Sequence, residues 1–314
     1  MRIVSLLPSA TEIVCALGLH EQLVGVSHRC DFPPEIEGVA VVTRPAAGPG
    51  ANATSAAGAT SAAGASSASV MSLDDELGPC ELDRVALLAA RPDLILVRDT
   101  GFGPTSRQLE AVLVGADFTP AIVVLDPITL EGIFNTISTL GAMTEAEDDA
   151  IELLGDLRED IGEIEQQVVA RQDLGTRPMR VVVLEGFSPL VASGRWIPEQ
   201  VRRSGGWELL GREGEPASPT TWEAIREVDP EMLMFAPAGL TLRQTKAAWR
   251  EVERPDFWED LEAVRRGQVF FLESVYFCRP GPRVVDGVAM LAEIFDPDGF
   301  IDTSPPNSWT PFFE

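Results

Sequence analysis

Short apolar runs alternate with amphipathic segments along most of the 314 residues, the pattern of strands alternating with helices. RIVSLL (2–7) predicts a strand that Pro8 stops. Ser9 or Thr11 is placed to cap the helix that follows, with Glu12 in its first turn, where a carboxylate is favoured. Gly18 can end that helix, and LVGVS (23–27) is the next strand. ELDRVALLAARPDLILVRD (81–99) reads as a helix, a proline break and a buried strand. TWEAIREVDPEMLMFAPAG (221–239) repeats that order, an internal echo that puts one β-α-β plan in each half. AIVVLDP (121–127) and QVFFLES (268–274) are the strands that follow, and RVVVLEG (180–186) opens the second half as RIVSLLP opens the first. Such alternation implies parallel sheets covered on both faces.

Between the halves, Thr144 is predicted to cap a helix running to about Ala170. Ile151, Leu154, Leu157, Ile161, Ile164 and Val168 form its apolar stripe at three- and four-residue steps. The expected fold is therefore α/β: two Rossmann-like lobes with parallel sheets, joined by a long backbone helix, with a ligand cleft between the lobes. The boundaries expected are 1–128 for the N-terminal lobe, 129–175 for the connecting helices and 176–314 for the C-terminal lobe. Residues 45–70 are almost all Ala, Gly, Ser and Thr. They lack the apolar anchors that would offset ordering, so a flexible low-complexity loop is expected there. The NAT triplet at Asn52 matches a glycosylation acceptor and carries meaning only in a secretory context.

Charge narrows the partners. The chain has 49 acidic and 24 basic residues, a formal net charge of −25, and Lys246 as its one lysine. That balance repels nucleic acid and anionic membrane. It fits adaptation to high salt, an acidic face that docks on a basic partner, or simply a soluble acidic surface. No apolar stretch reaches the roughly 20 residues that span a bilayer, so no membrane insertion is expected. The cysteines, Cys15, Cys30, Cys80 and Cys278, have no metal-site spacing with each other or with histidine. The opening stretch fails as an export signal because Pro8 and Glu12 interrupt its apolar run and no clean small-x-small cleavage site follows. By sequence alone it is the first strand and helix of a cytoplasmic domain. There is no GxSxG elbow and no HExxH, so an enzyme is not expected.

Several stretches together resemble the vitamin B12-binding members of the class III substrate-binding proteins of ABC importers, the helical-backbone metal-receptor family. They are SLLPSATEIVCALGL, VGVSHRCDFPPE, RPDLILV, ASGRWIPEQVRRSGG, the x-Pro-acid strand of the second half and YFCRPGPRVVDGVAMLAEIF. VGVSHRCDFPP and RPGPRVVDG are the more specific pieces. The resemblance implies reversible, non-catalytic binding of a corrinoid (cobalamin or cobinamide) in the inter-lobe cleft. It also implies delivery to an ABC permease, an extracytoplasmic location, a monomer, and no catalytic cofactor. Haem or a ferric siderophore is the alternative ligand. An intracellular regulatory or scavenging protein, or a degenerate enzyme, is the alternative of another class.

In open α/β sheets the loops at the carboxyl ends of strands face the ligand. That rule selects Pro8 and Ser9 after the first strand, in a turn that borders the cleft in the resembling family. It also selects His28 and Arg29 after the second. An imidazole can ligate cobalt, so His28 is both a lining residue and a candidate axial ligand. Asp31 and Phe32 are read as fixing the loop. Phe102, in the glycine-rich loop 98–106, can stack on a flat macrocycle. In the second half Glu185, Phe187 and Trp196 lie where strand meets loop and helix, and Phe235 and Tyr276 end the next strands. Aromatic rings suit the macrocycle face. Arg279 and Arg283 flank PGP and can hold a phosphate or staple the last helix. The resemblance further implies an acidic docking residue at the tip of each lobe. Glu223 is that residue in the second lobe and Asp83, or its neighbour Glu81, its counterpart in the first.

Overall fold

The computed structural model describes residues 1–46, 80–101 and 103–312. Most of the stretch expected to be a loop, with Asn52, and also Phe102, lies outside them. The chain divides into two compact units: Met1–Thr11 with His20–Asp126, and Glu12–Leu19 with Pro127–Glu314.

Unit one begins with β1 (Ile3–Ser5), shorter than the apolar run suggested, and runs directly into α1 (Pro8–Ala16). Pro8 is the first helical residue, where its missing N–H costs nothing. Ser9 and Thr11 are therefore inside the helix, not caps. Glu12 lies beyond the first turn and belongs with unit two. β2 (Leu23–Val26) follows, then β3 (Thr43–Pro45) and β4 (Cys80–Leu82), which pair antiparallel; Pro45, at the start of the low-complexity stretch, closes β3. Next come α2 (Arg84–Ala90), β5 (Leu94–Val97), α3 (Ser106–Leu113) and β6 (Ala121–Val124). The main sheet has the order β2-β1-β5-β6, all parallel. Val4, Leu6, Val42, Leu87, Ile95, Val97 and Leu109 form its core.

Unit two opens with α4 (Leu130–Thr144) and α5 (Glu147–Asp173). Thr144 ends α4 instead of starting α5. Its hydroxyl donates back to the Leu140 carbonyl at 2.7 Å, and Glu145 turns the chain with φ +60°. The 27-residue α5 buries Leu154, Leu157, Ile161 and Ile164, and Val168 is half-buried. Ile151 is 69% exposed and falls outside the stripe.

β7 (Met179–Phe187), β8 (Leu190–Ala192), α6 (Ile197–Arg203), β9 (Gly206–Glu208), β10 (Ser218–Pro219), α7 (Trp222–Val228), β11 (Met232–Phe235) and α8 (Leu242–Trp249) come next. α9 (Glu262–Arg265), β12 (Val269–Leu272), α10 (Val275–Cys278), α11 (Val284–Phe295) and β13 (Trp309–Pro311) complete it. β9, β7, β11 and β12 are parallel neighbours, while β8, β10 and β13 add antiparallel edges, so this sheet is mixed.

The echo is real in local structure. α2 and α7 each have seven residues. Asp83 caps α2 by accepting the Ala86 N–H at 3.0 Å, and Thr221 caps α7 by accepting the Ala224 N–H at 3.2 Å. Each helix ends on a left-handed residue, Arg91 (φ +44°) or Asp229 (φ +39°), just before the proline that leads into the buried strand. That register aligns Asp83 with Thr221. The position matching Glu223 is Val85, which is 78% exposed. Asp83 is thus a cap at the helix start, and Glu81 is paired with Arg44 across β3 and β4 at 3.0 Å.

Candidate functional site

The parallel sheet of unit one sends the ends of β1, β2 and β5 to one edge, as parallel register requires. The loop after β2 is built on hydroxyls. The Arg29 N–H donates to Ser27 Oγ at 3.3 Å. Ser27 Oγ and Thr11 Oγ1 lie 3.2 and 3.1 Å from Cys30 Sγ. Thr11 Oγ1 also lies 2.8 Å from Ser5 Oγ and 3.1 Å from the Leu7 carbonyl, with one proton to donate between them, which ties the loop to the β1–α1 turn. Pro8 and Ser9, in that turn, are buried. His28 and Arg29 are half-buried beside it. The His28 N–H donates to Thr43 Oγ1 at 2.9 Å, and its Nδ1 lies 2.8 Å from the same oxygen. Burial, then the neighbouring Arg29 charge, lowers the proton affinity of the ring, so it is neutral at pH 7. After β5, Arg98 packs at 7% side-chain exposure, 3.6 Å from Asp126.

In unit two the selected residues form two groups. Phe235 is fully buried and packs on Trp249 at 4.7 Å and Phe187 at 5.3 Å between ring centres, inside a cluster with Trp258 and Phe271. Its faces are covered by its own unit. Phe187 is half-buried at the margin of that cluster. The second group surrounds α10. Trp196 is 1% exposed and donates its indole N–H to the Phe277 carbonyl at 2.6 Å. Tyr276 lies in α10, beyond the strand end, half-buried with the Arg283 guanidinium 5.7 Å from its ring centre. Glu12 accepts from Arg279 Nη1 at 3.2 Å and from Arg283 Nε at 2.9 Å, with a second bond from Arg283 Nη2. The two arginines therefore share one 4%-exposed carboxylate that the opening helix supplies.

Glu185 is a buried anchor. It accepts the Gly194 N–H at 2.9 Å and pairs with Arg195 at 3.1 Å, fixing the turn that leads to Trp196. Burial raises its proton affinity, against the pull of the Gly194 amide. Its neighbour Glu208 accepts the N–H groups of Val183, Leu210 and Gly211, and burial pushes its carboxyl up to about 7. Sequence reasoning missed Thr43, Thr11 and Arg195. It also missed what Glu12 does. An isolated buried-position carboxylate in α1, together with two arginines around PGP, was the available signal for the last. Thr43 reaches His28 only because the segment after β2 returns beside it, with Val42 N–H bonded to the Val26 carbonyl.

Comparison with known proteins gives the class. The periplasmic binding protein family model matches residues 3–276, and the chain belongs to that family, whose members serve as substrate-binding components of transport. A vitamin B12-binding protein of Pectobacterium atrosepticum is 26% identical over 286 residues, covering 90% of this chain and 84% of that one. An uncharacterised ABC transporter substrate-binding lipoprotein of Bacillus subtilis is 23% identical over 309 residues, covering 95% and 81%. Among solved structures, a periplasmic vitamin B12-binding protein of Vibrio cholerae superposes with a TM-score of 0.64 at 21% identity, covering 94% of this chain and 96% of the other. A periplasmic heme-binding protein of Pseudomonas aeruginosa superposes with a TM-score of 0.67 at 22% identity, covering 94% and 92%. These structures share the fold of this chain: α/β, of the class with two lobes joined by a long helix. The protein is a periplasmic binding protein of ABC-importer type. No helix among the described residues is long and apolar enough to cross a membrane.

Proposed function

We propose that this chain binds a corrinoid, cobalamin or cobinamide, and presents it to an ABC permease outside the cytoplasm. The observation that carries the reading is the likeness over 90% of the chain to a vitamin B12-binding protein. The strand-end loops fit it. In unit one the candidate contacts are His28 and Arg29, beside the buried turn of Pro8 and Ser9; in unit two they are Tyr276 and Arg279, with Phe187 at the margin of the aromatic cluster. Trp196, Glu185 and Phe235 support those loops from inside unit two and do not present their own faces. A large macrocycle with amide edges needs a few aromatic and short polar contacts on pre-formed loops, and hydroxyl bracing of the kind around Cys30 supplies such rigidity.

The test is calorimetry with cobinamide, cobalamin and hemin on the same preparation. Binding of either corrinoid with hemin silent supports the reading. Hemin bound and the corrinoids silent moves the ligand to haem, the ligand of the P. aeruginosa neighbour.

A further inference from the structure

We infer that Thr43 holds His28 as the Nε2–H tautomer, so that the imidazole offers a hydrogen-bond donor to the ligand and not a lone pair to its metal. The inference deepens the proposed function, on which it rests for the identity of the ligand. Thr43 is 3% exposed, so its hydroxyl is largely removed from bulk water. Its Oγ1 already accepts the His28 backbone N–H at 2.9 Å. Among the described residues, its remaining partner is His28 Nδ1 at 2.8 Å.

A neutral imidazole carries one N–H. If that proton sat on Nδ1, Thr43 Oγ1 would face two donors, and its own proton would be buried without an acceptor. A buried unsatisfied donor costs about 1–3 kcal/mol. If Nδ1 is bare, the hydroxyl donates to it and both atoms are satisfied. The proton then resides on Nε2. About 1.4 kcal/mol is tenfold in population, so the Nε2–H form dominates by roughly fivefold to a hundredfold.

A histidine that ligates a metal through Nε2 has the opposite arrangement, with Nδ1–H donated to a second group. Thr43 is here the positioning residue and His28 the residue that touches ligand. The chemistry recognised is an acceptor oxygen, such as the amide carbonyls at the edge of a corrin ring. The metal keeps whatever axial ligands it arrives with.

The sequence has two histidines, His20 and His28, so ring tautomers can be read directly from long-range proton–nitrogen correlation spectra of histidine-labelled protein at about pH 8. His28→Ala assigns the two rings. His28 is expected with Nε2 protonated and Nδ1 bare. Thr43→Val should relax it toward a mixture, and Thr43→Ser should restore it. Diaquocobinamide, with its axial positions exchangeable, is the functional probe. Bound to wild type it should keep a visible spectrum free of imidazole ligation, and His28→Ala should weaken binding by roughly two- to tenfold, the worth of one neutral hydrogen bond. An Nδ1–H tautomer in the wild-type spectrum overturns the inference even if Thr43→Val does not fold. So does an imidazole-ligated cobinamide spectrum that His28→Ala abolishes. Absence of any corrinoid binding by wild type would instead overturn the proposed ligand, while the tautomer is still decided by the ligand-free spectra.

Discussion

Glu12→Ala should be among the most damaging single substitutions in unit two. The carboxylate is 4% exposed, and it is shared by Arg279 and Arg283, whose side chains are 12% and 18% exposed. Removing it takes the shared carboxylate away from two like charges that are largely out of water. Breaking a buried pair in this way costs about 3–5 kcal/mol. At about 2–4 °C per kcal/mol for chains of a few hundred residues, that is a fall in melting temperature of roughly 10 °C. Removing one arginine is different, because it leaves a balanced pair. Arg279→Ala or Arg283→Ala should cost about 1–3 kcal/mol, the loss of charge-assisted hydrogen bonds. Urea unfolding of the three variants at low and at 1 M salt is the assay. The order Glu12 above either arginine, with little salt dependence, is expected of a desolvated triad. A Glu12→Ala cost under about 1 kcal/mol would mean that the guanidiniums are solvated and the triad is a surface pair. A larger loss from either arginine than from Glu12 would equally refute the charge argument.

Asp83→Ala and Thr221→Ala should each cost about 1 kcal/mol in urea unfolding, and the double variant should cost their sum, because each removes one N-terminal cap from a separate helix. Phe235→Ala should lower stability by about 3–5 kcal/mol and Tyr276→Ala should not, whereas calorimetry with cobinamide should register Tyr276→Ala and leave the affinity of Phe235→Leu unchanged. Glu208 binds its proton more tightly folded than unfolded, at about 7 against 4.5, so its contribution is fully present below 4.5 and is lost as pH rises through 7. Unfolding free energies should therefore fall between pH 5 and pH 8, Glu208 contributing on the order of 3 kcal/mol and Glu185, which burial pushes up to about 8, adding to the fall, so Glu208→Gln should remove only its own share. Glu223→Arg should weaken co-purification with a permease and leave ligand affinity intact, while loss of ligand affinity instead would remove Glu223 from docking.

The elements that were legible in the sequence are those whose burial is set by local pattern. PDLILV and PEMLMF are buried strands because a parallel sheet covered on both faces demands continuous apolar runs. The helices before them could be bounded from their prolines. The boundary at Thr144 was not legible. A threonine near a helix junction is equally able to cap the next helix or to bond back to its own, and here its hydroxyl bonds back to the Leu140 carbonyl. Ile151 shows the limit of periodicity: a three-residue step places it within the stripe's tolerance, yet α4 and the sheet of unit two leave that face uncovered. Glu12 was misplaced because the helix begins at Pro8 itself, which moves the carboxylate out of the first turn, where a dipole would have explained it.

Aromatic content does not by itself separate a ligand face from the core in unit two. At a strand end, an aromatic residue is equally suited to a ligand face and to the core, and the deciding term is what lies across from it. Phe235 finds Phe187, Trp249 and Phe271 in its own unit, so its burial is already satisfied without a ligand. Trp196 spends its indole N–H on Phe277, and Glu185 spends both oxygens on the 194–195 turn. Groups whose hydrogen bonds and apolar surface are complete hold a loop in place, and groups that keep an unspent donor or an open face remain available to a ligand. By that criterion His28 in unit one and Tyr276 in unit two, both half-buried, are the proposed contacts that single substitutions test most directly. Thr11, Ser27 and Thr43 brace the loop that carries His28, and Glu12 braces the arginines that follow Tyr276, so substitutions at these bracing residues should change stability as well as affinity.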